Sequence, residues 1–506
     1  MSGGRKFAGM RHLHRFRWPL AFLTFLIAAW RSEGWHQSDE HFQLLEYAGY
    51  KLGMNTADEL AWEFGERMRP ALQVGIVYVL YRFFELFGEV DPFYFVIFLR
   101  LLSGALFVGV LAFAFHLLSP TLATETGRRQ LFWLSFGLWF MVYAGVRFTS
   151  ENWSGSCAAL AVLLTIRERR RAVNGSGFGW GLAYGLLWGL AFQFRYQIAF
   201  AGVGYLLWIV VRDKRSFWEI SGVVIGGFFT LIVAGGVDAW FYGSYVFPPW
   251  AYFEQNILAG KAATFGTDPF YQYVLDILLQ GIPPFSLLFL VGIVGFWWWW
   301  PKSLITWVSV PFILAHCLVS HKELRFLFPL LPFLPYAVCV TWERLLGRGR
   351  GCEGKWFRWG RVAFWVVSTG LLFGYTFQPP IREIPAQRFV YRTYGEKTEV
   401  YYAGRSLWKH AYQTRFYQAS GLNLIEVDDP SDSRCAGAIG NCVYITTERD
   451  QDERLRALGH ERVYGGYPEW MRAFNFGDWM RKSRFYFIYE YRGAGSGVIP
   501  PPDSKR

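Results

Sequence analysis

The sequence predicts a polytopic α-helical membrane protein of about eleven transmembrane helices with a C-terminal soluble α/β domain. Three observations carry this prediction. Only 18% of the 506 residues are charged while 53% are hydrophobic, whereas a typical soluble domain has about 25% charged residues. The deficit is uneven: 35 of the 126 residues in 381–506 are charged, against 55 of the first 380. Finally, apolar runs alternate with short basic clusters through the first 380 residues. The chain therefore reads as a membrane domain, 1–380, and a non-cytoplasmic domain, 381–506. Within the membrane domain, 31–91 forms a first outer loop with interfacial helices.

The spans follow in order. Arg5, Lys6, Arg11, Arg15 and Arg17 precede an apolar run at 18–30; no small-residue cleavage site follows, so this reads as an uncleaved first span. Further runs lie at 92–118, 131–146, 153–166, 178–194, 196–211, 217–241, 272–300, 303–320, 324–343 and 361–377. Several are shorter than the ~20 residues a straight crossing needs, so their flanks must extend them. The basic clusters at the N-terminus, Arg128/Arg129, 167–171, 212–215, Lys302 and 344–361 assign one side as cytoplasmic. That alternation excludes 71–88, which contains Arg82 and Glu85, and makes it an interfacial or re-entrant helix. The segments 31–91, 242–271 and 381–506 then face outward. The tail alternates strand-like runs (442–447, 485–491) with a helix-like one (451–458).

The net charge of +12 resides in these loop clusters, so nucleic acid is not the implied partner. Six cysteines include no CxxC pair, which argues against a zinc ribbon. Cys435 and Cys442 share the tail, in a compartment that permits a disulfide; two free thiols are the alternative. The chain has no GxxxxGK[ST] phosphate loop and no HExxH motif. Asp450-Gln451-Asp452 is a DxD that reads as the start of a solvated helix.

Four groups carry candidate chemistry. In Trp35-His36-Gln37-Ser38-Asp39-Glu40-His41, a carboxylate beside a membrane exit suits a general base, and Ser38 equally suits a helix cap with Asp39 and Glu40 in the first turn. Arg67 and Arg69 suit phosphate or lipid headgroups. Arg147, with Glu151-Asn152, and Arg195 lie at membrane ends, where an uncompensated charge is costly. In His321-Lys322-Glu323-Leu324-Arg325, three cations could hold a lipid phosphate while Glu323 orients one of them. Phe247-Pro248-Pro249-Trp250 adds aromatic surface to the 242–271 segment.

These segments resemble the GT-C mannosyltransferases of glycosyltransferase family 22. The family's H-P-D-E-x-F-Q is similar to His36 through Gln43, with one extra residue and no proline, aligned on Asp39-Glu40. Its W-E-(W/F)…R-S-x-x-x-P resembles Trp62-Glu63-Phe64 followed by a compressed 67–70. R-T-x-S-N resembles 147–152 with an insertion, and D-x-x-F-Y-G-x-x-V-F-x-P is matched by Asp238, Phe241-Tyr242-Gly243 and Val246-Phe247-Pro248. H-K-E-x-R-F-x-x-P is reproduced by His321-Lys322-Glu323, Arg325-Phe326 and Pro329. The resemblance spans 31–335 and is greatest to the GPI-anchor branch.

The resemblance implies an inverting transfer of mannose from a polyprenyl-phosphate mannose donor to a lipid-linked glycan or glycolipid acceptor. The site would lie on the lumenal face of the ER membrane or the periplasmic face of a bacterial inner membrane. Asp39, then Glu40, would be the base. His321, Lys322, Arg325 and Arg195 would bind the donor phosphate, with Glu323, His36, Arg67, Arg69 and Arg147 in support. Phe247 and Trp250 would line the acceptor groove. No cofactor and no metal is called for. A GT-C transferase using another lipid-linked sugar, a lipid or sugar transporter, and a non-catalytic scaffold are the competing readings.

Overall fold

Each of the eleven apolar runs folds as helix. The structure, a computed structural model, describes residues 4–171, 177–347, 355–394, 398–402, 406–429, 435, 441–447, 451–467, 469–478, 480, 483 and 485–493. The DxD aspartate Asp450 and the basic residues from 348 to 354 lie outside them. Two compact units emerge, one of 1–32, 39–51 and 61–378, the other of 33–38, 52–60 and 379–506. The first loop thus does not belong wholly to the membrane unit; two of its stretches fold with the tail.

The larger unit starts with helix α1 (Gly4–Arg31) and two short helices, α2 (Ser38–Phe42) and α3 (Leu45–Leu52). Arg100 ends α1: its Nε and Nη1 donate to the Ala29 and Ser32 carbonyls, 2.8 and 2.9 Å away. These are terminal carbonyls that the helix itself leaves without partners. Helix α4 (Leu72–Glu85) has 14 residues, too few for a straight crossing. The apolar runs become α5 (Pro92–Leu118), the pair α6 (Glu125–Phe136) and α7 (Trp139–Val146), α8 (Ser150–Arg171) and α9 (Gly177–Phe194). They continue as α10 (Ala199–Leu207) and α11 (Phe217–Tyr242), then the short α12 (Pro248–Phe253) and α13 (Lys261–Thr264). Next come α14 (Gln272–Gln280) with α15 (Ser286–Trp299), α16 (Leu304–Leu318), α17 (Leu334–Leu346) and α18 (Lys355–Phe377). Among the described residues three stretches are long and apolar enough to cross alone: Pro92–Thr121, Phe217–Tyr242 and Leu324–Leu346.

Close packing is set by small residues. On α9 and α11, a Cβ at Gly181 or Gly185 would overlap the backbone of Glu219 or Val223. This is the backbone-to-backbone approach expected where lipid supplies no hydrophobic driving force between helices. The opposite side of α11 leaves Val224, Phe228 and Ile232 exposed, an apolar stripe at the i, i+4, i+8 spacing of one helix face.

In the smaller unit, β1 (Thr398–Tyr402), β2 (Leu422–Glu426), β3 (Asn441–Thr446), β4 (His460–Gly465) and β5 (Phe487–Tyr491) form a mixed sheet ordered β2-β1-β3-β5-β4. Residues alternate between two cores, as a pleated strand requires. Val443 and Ile445 meet helix α19 (Glu383–Thr393) on one face, and Cys442 and Tyr444 meet helix α20 (Asp452–Ala457) on the other. Cys435 and Cys442 are disulfide-bonded, with Cα atoms 5.5 Å apart. Two ion pairs hold the first-loop stretches to this unit, Glu33 with Arg388 and Glu59 with Arg415.

Candidate active site

The charged segments picked out from sequence converge at one end of α8. Residues 324–333 form a 3₁₀ helix containing Pro329 and Pro332; each proline removes an amide hydrogen, which disfavours a continuous α-helix here. This segment lies against α8 because residue 155 is glycine: a Cβ there would sit 2.5 Å from the Pro329 Cα. Seated this way, Arg325 reaches the first turn of α8. Arg195 gets there from the extended break between α9 and the turn at Tyr196–Ile198. Asp39 and Glu40 lie in the first turn of α2.

Arg325 is the hub. Its Nε and Nη2 grip Glu323 across both carboxylate oxygens, at 2.7 and 3.0 Å. Its Nη1 donates to Asp39 Oδ2 at 2.9 Å and to Glu151 Oε1 at 3.4 Å. The same Glu151 oxygen accepts from Arg195 Nη1 at 2.8 Å. The ring of Phe326 lies under both guanidiniums, 4.9 Å from Arg195 and 5.2 Å from Arg325, a stacking that suits weakly hydrated cations. His321 Nε2 lies 3.3 Å from Glu323 Oε1. The result is a line of alternating charge, Asp39–Arg325–Glu151–Arg195, assembled from four separate segments of sequence.

Within it Asp39 is the open carboxylate. Its side chain is 27% exposed, whereas Glu40 is buried and faces Arg147 at 3.7 Å. Burial alone would raise the Asp39 carboxyl, but the charges of Arg325 and Arg69 and the Arg325 hydrogen bond prevail and lower it to about 2. Glu323 is lowered in the same way: its partial burial is outweighed by the Arg325 grip.

The remaining expected residues divide. Arg69 is near enough to act on Asp39 and pairs with Glu63 at 3.2 Å, while Gln43 donates to the same Glu63 oxygen at 3.1 Å. Asp238 and Tyr242 of α11 hold this corner: Asp238 accepts from the Ala71 amide at 2.7 Å, and the Tyr242 hydroxyl donates to the Arg69 carbonyl at 2.9 Å. Lys322 departs from the expectation of a phosphate cation. It is buried, and its Nζ donates to the Val319 and Asp268 carbonyls at 2.6 and 3.0 Å, so it braces the turn. Arg67 is exposed and bonded to Ser244 rather than to the cluster. His36 falls in the smaller unit. Phe247 and Trp250 are exposed, and α12 directs Tyr252 instead toward Arg69, whose guanidinium lies 5.7 Å from that ring. Asn152 is buried with its amide on the Gly145 and Arg147 carbonyls, so the Asn152-Trp153-Ser154 sequon has no accessible acceptor nitrogen.

Sequence reasoning noted Glu151 only beside Arg147 and Glu63 only within Trp62-Glu63-Phe64, and assigned neither a role in the site. The signal for each was a carboxylate one or two turns from an arginine already singled out. Among the described residues no three His, Cys, Asp or Glu side chains are arranged to hold a metal; the three carboxylates here converge on a guanidinium.

The sequence profile described as the Alg9-like mannosyltransferase family matches residues 18–381. The chain belongs to this family. Its relatives include the GPI alpha-1,2-mannosyltransferase 3 of Mus musculus, 25% identical over 58% of this chain and 53% of that protein. The GPI mannosyltransferase 3 of Trypanosoma brucei brucei is 28% identical over 42% and 38%. A probable Dol-P-Man:Man(7)GlcNAc(2)-PP-Dol alpha-1,6-mannosyltransferase of Schizosaccharomyces pombe is 27% identical over 31% and 28%. The chain spans about half the length of the GPI alpha-1,2-mannosyltransferase 3 relatives it matches. Among solved structures, ArnT from Cupriavidus metallidurans bound to undecaprenyl phosphate superposes with a TM-score of 0.55 at 13% identity, over 94% of this chain and 98% of that one. This family member is thus an integral membrane protein with the GT-C fold and a C-terminal sheet domain.

Proposed function

We propose that the chain transfers mannose from a polyprenyl-phosphate mannose to a hydroxyl of a lipid-linked glycan or GPI-like acceptor, inverting the anomeric centre to give an α-mannosidic bond. Family membership supports the reaction class. The observation that carries the mechanism is the half-open Asp39 carboxylate, held ionised at one end of a line that ends in the buried Arg195. The acceptor oxygen attacks C1 of the mannosyl group as its proton passes to Asp39. The C1–O bond to phosphate breaks, and its electron pair leaves on the polyprenyl phosphate. A phosphate monoester anion is a competent leaving group, so it needs cationic stabilisation rather than an acid. Arg195 supplies that charge, His321 offers a ring N–H to the phosphate, and Arg325 holds Asp39 until the donor is bound. Phe247, Trp250 and Tyr252 border the acceptor. The polypeptide crosses the bilayer eleven times with its N-terminus cytoplasmic, which puts Asp39 on the non-cytoplasmic face.

The test is mannose transfer by the purified protein in detergent, from synthetic polyprenyl-phosphate mannose to short lipid-linked mannosides. The parent is expected to transfer, and Asp39→Asn to lose at least ~100-fold, a lower bound typical for removing a general base. Undiminished transfer in Asp39→Asn assigns the proton to another group. Transfer of a different lipid-linked sugar in place of mannose overturns the donor assignment.

A further inference from the structure

Glu151 stands between the two arginines in an arrangement that the transfer reaction by itself does not call for. It is buried, and one of its oxygens accepts from both Arg195 and Arg325. Arg325 in turn makes four N–H···O contacts to carboxylates: two to Glu323 and, from Nη1, one each to Asp39 and Glu151. The Arg195 Nε, by contrast, is buried with no protein partner. Carboxylates and phosphates occupy the same fork on a guanidinium, so a phosphate that enters by the open Nε and claims Nη1 as well displaces Glu151, the carboxylate on that nitrogen.

We propose that Glu151 is a positioning residue that competes with the lipid phosphate for Arg195 and Arg325, so that donor binding draws the two guanidiniums off the carboxylates and releases Asp39 to the acceptor. The proposal rests on the functional reading above. It explains why a base would be hydrogen-bonded to the hub arginine, an arrangement that by itself weakens proton acceptance. Donor binding lifts that restraint. After transfer, Glu151 reclaims the arginines and helps to expel the polyprenyl phosphate product.

The experiment measures binding of undecaprenyl phosphate to the detergent-solubilised full chain, alongside steady-state transfer and thermal unfolding. Glu151→Gln removes the competing charge and keeps the shape. Its affinity for undecaprenyl phosphate is expected to rise about tenfold, the effect of one removed charge competitor, while kcat falls because product is retained. A merely structural role would weaken binding or leave kcat and KM to fall together. Glu151→Asp keeps the charge, so its affinity is expected within about twofold of the parent. Tightening in both variants, or in neither, overturns the proposal and leaves the functional reading intact. A parent chain that does not bind undecaprenyl phosphate overturns the functional reading itself.

Discussion

The two ends of α8 carry networks with the same inventory and different geometry. Near its start, Asp39, Glu151 and Glu323 meet Arg195 and Arg325; near its end, Glu168, Asp213 and Glu219 meet Arg169 and Arg215. Glu151 and Glu168 are 17 residues apart, about 26 Å along the helix, close to the hydrocarbon thickness of a bilayer. The second network is local: Asp213, Arg215 and Glu219 come from one turn and the helix start beyond it. Its carboxylates are closed in, with 14%, 7% and 6% of their side chains exposed. In the first network Asp39 and Glu323 each keep 27% exposed, and its members come from four distant segments. Three acids around an arginine therefore do not distinguish the two networks. An open carboxylate, in a network that long-range folding has to assemble, is what sets the proposed site apart.

The strongest way to break this comparison is to make the same change at both hubs. Arg325→Lys keeps the charge and loses the fork that spans Glu323 and reaches Asp39. Transfer is expected to fall by at least ~100-fold, as misplacing a base does, with a small change in melting temperature. Arg215→Lys, or the harsher Arg215→Ala, is expected to act the other way. Removing one partner of a buried pair costs about 3 kcal/mol, so thermal stability drops while kcat of the folded fraction stays within about twofold. Equal loss of transfer at both ends would put the difference between the networks down to topology alone.

A smaller effect is expected from the seat of the 324–333 segment. Gly155→Val must push Pro329 away from α8, because even a Cβ lies 2.5 Å from the Pro329 Cα. Arg325 moves with it. A displacement near 1 Å is expected to cost roughly tenfold to 100-fold in kcat, without loss of the network near Arg215. Steady-state kinetics together with a thermal melt separates this from general instability.

The pH dependence sharpens the same contrast. Asp39 is depressed from 3.8 to about 2, so its ionised form stabilises the folded state above pH ~3.8, and that contribution disappears as pH falls toward 2. Melting temperature is expected to drop across this window, less steeply in Asp39→Asn. For the same reason Asp39 is expected to contribute no acid limb to kcat/KM of the parent above about pH 4. In Arg325→Gln burial is opposed only by Arg69 and Arg195, the carboxyl rises, and the acid limb is expected to move upward in pH relative to the parent. Profiles of kcat/KM for the two proteins would check both statements.

How much of this was legible depended on whether the signal was local. The apolar runs were, because a span announces itself by composition, and all eleven are helical. Two of the five tail strands, β3 and β5, were visible too. Strands β1, β2 and β4 were not, since mixed polar runs such as Thr398–Tyr402 acquire their pattern only from neighbours in the sheet. At the candidate site, Asp39, Glu323 and Arg325 were singled out by residue type and position, and the fold brings the three side chains into contact. Glu151 was seen beside Arg147 and turned out to serve Arg195 and Arg325, because sequence adjacency does not say which side of a helix meets which loop. The glycine seam of α9 and α11 carried a readable small-xxx-small spacing that charge-based reasoning never consulted.

Lys322 shows most clearly where residue type misleads, and it supplies the mildest prediction. In sequence His321, Lys322 and Arg325 are three equivalent cations at a membrane exit. In the structure the Lys322 ammonium is turned onto two backbone carbonyls, and its amide donates to Asp268 Oδ2 at 3.0 Å. That is the task of a loop brace, since carbonyls at a tight turn otherwise lack donors. Lys322→Gln, which can still donate to one carbonyl, is expected to cost about 1 kcal/mol of stability and less than about threefold in transfer. His321→Ala removes a ring whose Nδ1 is buried without a protein partner, and is expected to raise the donor KM by about tenfold. Reversal of that order in paired KM measurements would return Lys322 to the phosphate and make the turn around Asp268 part of the donor site.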